Sequence, residues 1–135
     1  MLILATKEQN ISTMNVNNKG KRGERLWRDF LNENGFSGSY RHGQQTLGGS
    51  IDRPDVVCPQ MVGWHHEVKF TEKLNIHKAM KQAIDDSMGQ RKPLVASKRV
   101  REEWLVTMKA SDFLELVKEK TDMEFAVENT KIETR

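Results

Sequence analysis

Cysteine is almost absent from this chain. Cys58 is the only one in 135 residues, which excludes an internal disulfide framework and fits a reducing cytoplasm. Long hydrophobic runs are lacking as well. The apolar stretch at residues 1–5 is too short to span a bilayer and has no basic lead-in, so neither a signal peptide nor a membrane span is expected. No internal repeat is visible, and neither a phosphate-cradling glycine loop nor a dinucleotide fingerprint is present. A zinc ligand set is missing too. His65 and His66 are adjacent, so on a strand they face opposite ways, and no second cysteine accompanies Cys58. Cys58 has no evident partner as a nucleophile and reads as a small buried residue.

What is present fits one soluble globular domain. Apolar residues make up 36% of the chain and charged residues 30%, a balance typical of a folded protein. The net charge of +3 is small, but the excess is clustered. Lys19, Lys21, Arg22, Arg25 and Arg28 crowd one segment, and Lys98, Arg99 and Arg101 crowd another. Such clusters are either solvated faces or the electrostatic footprint of a nucleic-acid partner.

Periodicity then orders the elements. Residues 1–18 are polar, Asn-rich and mostly aperiodic, and read as a flexible N-terminal arm. Leu26, Trp27, Phe30 and Leu31 recur at helical spacing within residues 21–34, with Gly35 as the stop. Residues 36–47 read as a strand broken by Gly48, Gly49 and Ser50; residues 54–58 and 64–70 read as two more. Ile76, Ala79, Met80, Ala83, Ile84 and Met88 keep one face of a second helix, ended by Gly89. Strands follow at 93–97 and 104–108, then a short helix capped by Ser111 or Asp112 that ends near Lys118. Residues 119–135 read as a polar tail. Trp27, Trp64 and Trp104 fall on apolar faces and read as core. The expected fold is a single α/β (α+β) layer structure, a sheet flanked by helices, spanning residues 19–118.

The chemistry concentrates between residues 54 and 70. Alternate residues of a strand share a face, so His65, Glu67 and Lys69 point one way while Trp64, His66, Val68 and Phe70 point the other. A hairpin turn centred on Met61 sets Asp55 opposite Glu67. Cross-strand neighbours lie only about 5 Å apart at Cβ, and two carboxylates that close require a shared proton or a cation. A divalent ion with oxygen ligands, Mg²⁺ or Mn²⁺, meets that need. Lys69, one step along the same face, can orient an attacking water or stabilise charge developing on phosphorus. Asp52 is an alternative to Asp55; the preceding Pro54 and the hairpin register favour Asp55. Glu24 lies at the edge of the first helix's apolar stripe, where it either reaches the sheet surface or simply favours the helix dipole. Arg41 and His42, before the Gly-rich break, are either DNA contacts or ordinary loop residues.

These segments together, KGKRGERLWRDFLNENGF, RPDVV, HHEVK, a helix carrying KQAIDD, and WLVTM, resemble the PD-(D/E)xK nuclease superfamily, and within it the phage and archaeal Holliday junction resolvases. The similarity runs over residues 19–117. It implies a restriction-endonuclease-like αβββαβ core with a mixed sheet and a Mg²⁺ site of one or two ions. Glu24, Asp55, Glu67 and Lys69 match the motif positions, and the backbone carbonyl of Val68 would be a further ligand. The resemblance also implies a homodimer cutting a two-fold junction symmetrically. Gln82 matches a helix position near the site in that superfamily, although helical periodicity turns it away from the apolar stripe. With no long insertion for DNA binding, Lys21, Arg22, Arg25, Arg41, Lys98, Arg99 and the Gly48-Gly49 loop are the expected contacts to branched DNA. Two other readings stand beside this one: a restriction- or repair-type nuclease on duplex or flapped DNA, and a catalytically silent nucleic-acid-binding module.

Overall fold

The structure, a computed structural model, describes residues 2–42 and 52–133, with side chains from 18 to 42 and from 52 to 131. Its elements run α1 (Leu2–Glu33), β1 (Tyr40–Arg41), β2 (Val56–Val57), β3 (Trp64–Phe70), α2 (Ile76–Ser87), β4 (Lys92–Lys98), β5 (Leu105–Met108) and α3 (Ala110–Glu133). The strands form one mixed five-stranded sheet in chain order, β1-β2-β3-β4-β5. Only β3 and β4 are parallel, because α2 intervenes and returns the chain to the same end. Among the described residues, three helices complete a mixed α/β fold.

Alternation along the strands decides which helix covers which face. Val56, Cys58, Val68, Leu94 and Ala96 face Trp27 and Leu31 of α1, with Phe36, Met61, Trp64 and Trp104 packed around them. Val95, between Leu94 and Ala96, faces the other way and packs on Ala79 and Ala83 of α2. Trp27 lies against Trp104, ring centroids 5.0 Å apart, and stacks on Phe30 at 5.7 Å. The small, buried Cys58 and the core role of Trp27 follow the sequence reading. Asn75 caps α2 by accepting the Lys78 N–H at 3.1 Å. Met88 ends the helix in the left-handed region, and Gly89 at φ +72° continues the turn.

Several element bounds differ from the sequence reading. α1 extends through most of the segment expected as an arm, since no proline interrupts residues 2–33 and an internal glycine costs a helix only about 1 kcal/mol. α3 likewise runs through the segment expected as a tail from 119, on to Glu133, supported by good helix formers and an i,i+4 pair between Lys120 and Glu124. Ser111 and Asp112 sit inside its first turn rather than before it. α3 packs only lightly on the rest of the fold and exposes Phe113, Leu114, Met123 and Phe125. The strand expected at 36–47 is reduced, within the described residues, to Tyr40 and Arg41. Gly35 and Gly38 take positive φ, and Asn32 at the end of α1 bonds both Ser39 N–H and Ser39 carbonyl, which ties this stretch to the helix instead of the sheet. Residues 43–51, including the Gly48-Gly49 loop, lie outside the described residues. No helix among the described residues is long and apolar enough to cross a membrane.

Gly23 fixes how closely α1 meets the sheet. A Cβ there would stand 2.5 Å from the Phe70 Cβ, well inside contact distance. Gly23→Ala is therefore expected to push α1 off β3 and destabilise the protein by about 1–3 kcal/mol, despite the better helix propensity of alanine. Urea unfolding measures this, and an unchanged or raised midpoint would contradict the close approach.

Candidate active site

β2 and β3 pair antiparallel with Val56 opposite His66. Continuing that register brings Asp55 to Glu67, the alignment expected from a turn centred on Met61. Asp55 is held there twice. Its N–H donates to the His66 carbonyl at 2.8 Å, and its Oδ2 accepts the Val68 N–H at 2.8 Å, so the side chain itself extends the ladder. Burial pushes the Asp55 carboxyl up, and the Glu67 carboxylate across the hairpin pushes it further. The Val68 N–H works against both, Glu24 adds to the rise, Lys69 opposes it, and the pKa reaches about 7.

Glu67 is 2% exposed. Its two oxygens have different neighbours: Lys69 Nζ is 3.8 Å from Oε1, and His65 Nε2 is 3.5 Å from Oε2. Lys69 is steadied from the other side by Gln82, whose Oε1 accepts from Nζ at 2.8 Å. Gln82 lies off the apolar stripe of α2, as periodicity indicates, but the edge it occupies faces β3, so it meets Lys69 instead of solvent alone.

Behind Glu67 lies an arrangement that the sequence reading missed. His65 is fully buried, and its Nδ1 is bonded to Asp52 Oδ1. Asp52, 3% exposed, also meets Arg91, whose Nε is 3.1 Å from Oδ2. Burial pulls the His65 imidazolium down, but Glu67 and Asp52 on its two sides outweigh that, and its pKa is raised. Asp52 is thus no substitute for Asp55 but the partner of a histidine. The side-chain alternation placed His65 and Glu67 on one face; nothing in the sequence marked Arg91 as the third member.

His66 points the opposite way and behaves oppositely. Its Nδ1 accepts the Trp27 Nε1–H at 3.0 Å, so that nitrogen carries no proton. Burial pulls its pKa down, with His65 and Arg91 adding to the effect, to about 4. One strand therefore carries two buried histidines, one aimed at carboxylates and one at an indole.

The remaining expected residues divide. Glu24 is close enough to act on Asp55, but its Oε2 is taken by Arg41, with NH2 and Nε at 2.8 and 2.9 Å. Lys21, Arg22 and Arg25 are exposed. Lys19 and Arg22 stand over the Phe70 ring at 5.3 and 5.7 Å, and Phe70 pairs with Lys98 across β3 and β4. The two basic segments thus meet at the end of the strand that carries Lys69. Arg99 lies at the next turn, beside a cavity of about 370 Å³ that also includes Glu102 and Glu103, so its surroundings are mixed in charge. Among the described residues, no three His, Cys, Asp or Glu side chains stand ready to grip one ion.

Two carboxylates and a backbone carbonyl are nonetheless a hard oxygen donor set suited to Mg²⁺ or Mn²⁺. Two observations fit such an ion. Glu67 is 2% exposed and its Oε1 meets Lys69 no closer than 3.8 Å, and Asp55 is forced toward its protonated form by burial and then by the like charge of Glu67. Comparison with protein-family models, with curated proteins and with solved structures gave no match for this chain.

Proposed function

We propose that the chain is a metal-dependent endonuclease of the PD-(D/E)xK kind, with a restriction-endonuclease-like core, acting on branched DNA. The observation that carries this reading is Asp55: a carboxyl raised to about 7 by burial and by Glu67 across a hairpin is a site short of positive charge. Asp55, Glu67 and the Val68 carbonyl would hold the ion, with Glu24 beside them. Bound there, Mg²⁺ or Mn²⁺ supplies Lewis-acid polarisation of the phosphate and a more acidic water. The chain's own residues do the rest. Glu67 and Asp55 would hold the cation facing the scissile phosphate, and Lys69, steadied by Gln82, would present its ammonium where charge develops on phosphorus. Lys19, Arg22 and Lys98 around Phe70 contact backbone phosphates and fix the register of the substrate.

A four-way junction is two-fold symmetric, so paired cuts require two sites and hence two copies of the chain. The apolar residues Leu105, Val106, Phe113 and Leu114, exposed on β5 and α3, supply the kind of surface that such a pairing needs. A second reading, nucleic-acid binding without cleavage, has one observation in its favour: Arg41 already neutralises Glu24.

Incubation with Mg²⁺ and synthetic four-way junctions beside matched linear duplexes separates the readings. Symmetric paired nicks confined to the junction are expected. Duplex cutting would shift the reading to a restriction- or repair-type enzyme, and retarded bands without products would leave only binding. Arg22→Ala is expected to weaken binding across sequences and lower the salt slope by about one; an unchanged slope would remove that residue from the interface.

A further inference from the structure

We propose that Asp52 and His65 form a buried positioning pair whose task is to hold the Glu67 carboxylate in one orientation. The inference rests on the metal-site reading above and adds two residues to it.

The terminal torsion of a glutamate is soft and broadly two-fold, so a carboxylate that must present one chosen oxygen needs something behind it. Glu67 has such a backing. His65 Nε2 stands against Oε2 at 3.5 Å, an ion-pair contact rather than a formed hydrogen bond, while Oε1 turns toward Lys69 at 3.8 Å. The imidazole cannot rotate away, because its Nδ1 is bonded to Asp52 Oδ1. Asp52 is in turn anchored by Arg91 at 3.1 Å. Arg91, Asp52, His65, Glu67, Lys69 and Gln82 thus form one continuous polar line through the molecule, its three central members almost wholly shielded from water.

Burial cost argues that this line is not filler. Taking an imidazole and two carboxylates out of water is unfavourable, and apolar residues of similar volume often serve stability as well or better. A leucine at 65 would pack against α2 and the sheet without demanding a buried acid behind it. The arrangement becomes intelligible if its product is the placement of Glu67, in the way that groups behind metal-binding side chains fix their orientation and tune affinity. Asp52 and His65 touch neither substrate nor reacting atoms; they act through Glu67.

The test uses the full chain, with Mn²⁺ alone as probe and its affinity read by calorimetry without DNA. His65→Leu is expected to weaken Mn²⁺ binding about 10–100-fold, while junction affinity measured in EDTA stays unchanged. His65→Gln keeps an N–H that can reach Glu67 and is expected to recover most of the loss. Asp52→Asn, which still accepts from Nδ1, is expected to fall between the two. A purely space-filling role predicts the reverse ranking of leucine and glutamine in stability and no difference between them in Mn²⁺ affinity; that result overturns the proposal. If His65→Leu does not fold, Asp52→Asn carries the test: Mn²⁺ affinity below that of His65→Gln supports the pair, and wild-type affinity overturns it. Wild-type protein that binds no Mn²⁺ overturns the metal-site reading and this one together, whereas normal binding by wild type and His65→Leu alike removes only the positioning pair.

Discussion

Glu67→Gln is expected to cut junction cleavage by about 10³-fold or more while the protein still folds and still binds junctions. The size follows from what the proposed metal site would lose: one of two side-chain ligands of an ion that would supply several kcal/mol of charge stabilisation in the transition state, at about 1.4 kcal/mol per factor of ten. Glutamine keeps the shape but not the charge. Binding in EDTA should hold or tighten, since a negative group facing a polyanion is lost. Asp55→Asn should fail in parallel, because its amide oxygen can still accept the Val68 N–H yet contributes no charge. Single-turnover cleavage of labelled junctions measures both. A Glu67→Gln enzyme that cuts like wild type would dismiss the site, whatever else the protein does.

The second large effect concerns pH and needs no substrate. Asp55 is raised from 3.8 to about 7 by burial first and by Glu67 next. Folding therefore takes up a proton at this carboxyl, and the stability it contributes below about pH 4 is lost as pH rises toward 7. His66, pulled from 6.5 to about 4 by burial above all, runs the other way: its contribution is present above 6.5 and is lost as pH falls through about 4. The raised pKa of His65 acts in the same direction but in a higher window, its contribution being present below pH 6.5 and lost as pH rises above it. In metal-free wild type the two slopes oppose each other, and single variants should unmask them. Asp55→Asn leaves His66 in charge, so stability should climb by about 3 kcal/mol from pH 4 to 6.5. His66→Asn, which keeps an acceptor for the Trp27 indole N–H, should instead lose stability as pH rises from 4 to 7. Urea unfolding in EDTA across that range is the measurement. Two variants with the same slope would show that these groups do not control the titration. Divalent cation should restore wild type at the upper end of the range by replacing the missing proton on Asp55.

The parts of this molecule that were legible in the sequence are those written by short-range geometry. The alternation of residues 64–70 gave β3 with its bounds, and a turn centred on Met61 gave the register that pairs Val56 with His66. The apolar stripe from Ile76 gave α2, and Gly89 gave its end. Strand residues facing apart also separated the roles of His65 and His66 in advance. What stayed hidden depends on partners far along the chain or on the absence of interruption. Asp52 read as a spare carboxylate because its burial comes from contacts with His65 and Arg91 that no spacing rule reveals. Gln82 was judged by the stripe it misses, whereas its neighbour is set by where α2 lies over β3. Arg41 taking up Glu24 depends on a bend after α1 that Asn32 and Ser39 create together. α1 and α3 exceed the lengths that periodicity indicates, because polar segments without an apolar face carry no periodic signal of a helix.

The spacing of the bonds around β3 bears on the order in which the two sides of that strand are completed. Asp52 to His65, Asp55 to Val68 and Lys69 to Gln82 each join residues 13 apart, whereas Trp27 to His66 joins residues 39 apart. Closing the longer loop costs roughly 1 kcal/mol more in chain entropy, so the three short closures are the less demanding ones. The acidic side of the strand can therefore assemble while its rear is still bare. The Trp27–His66 bond is thus the long closure that ties α1 across the back of the strand whose front carries the crowded carboxylates.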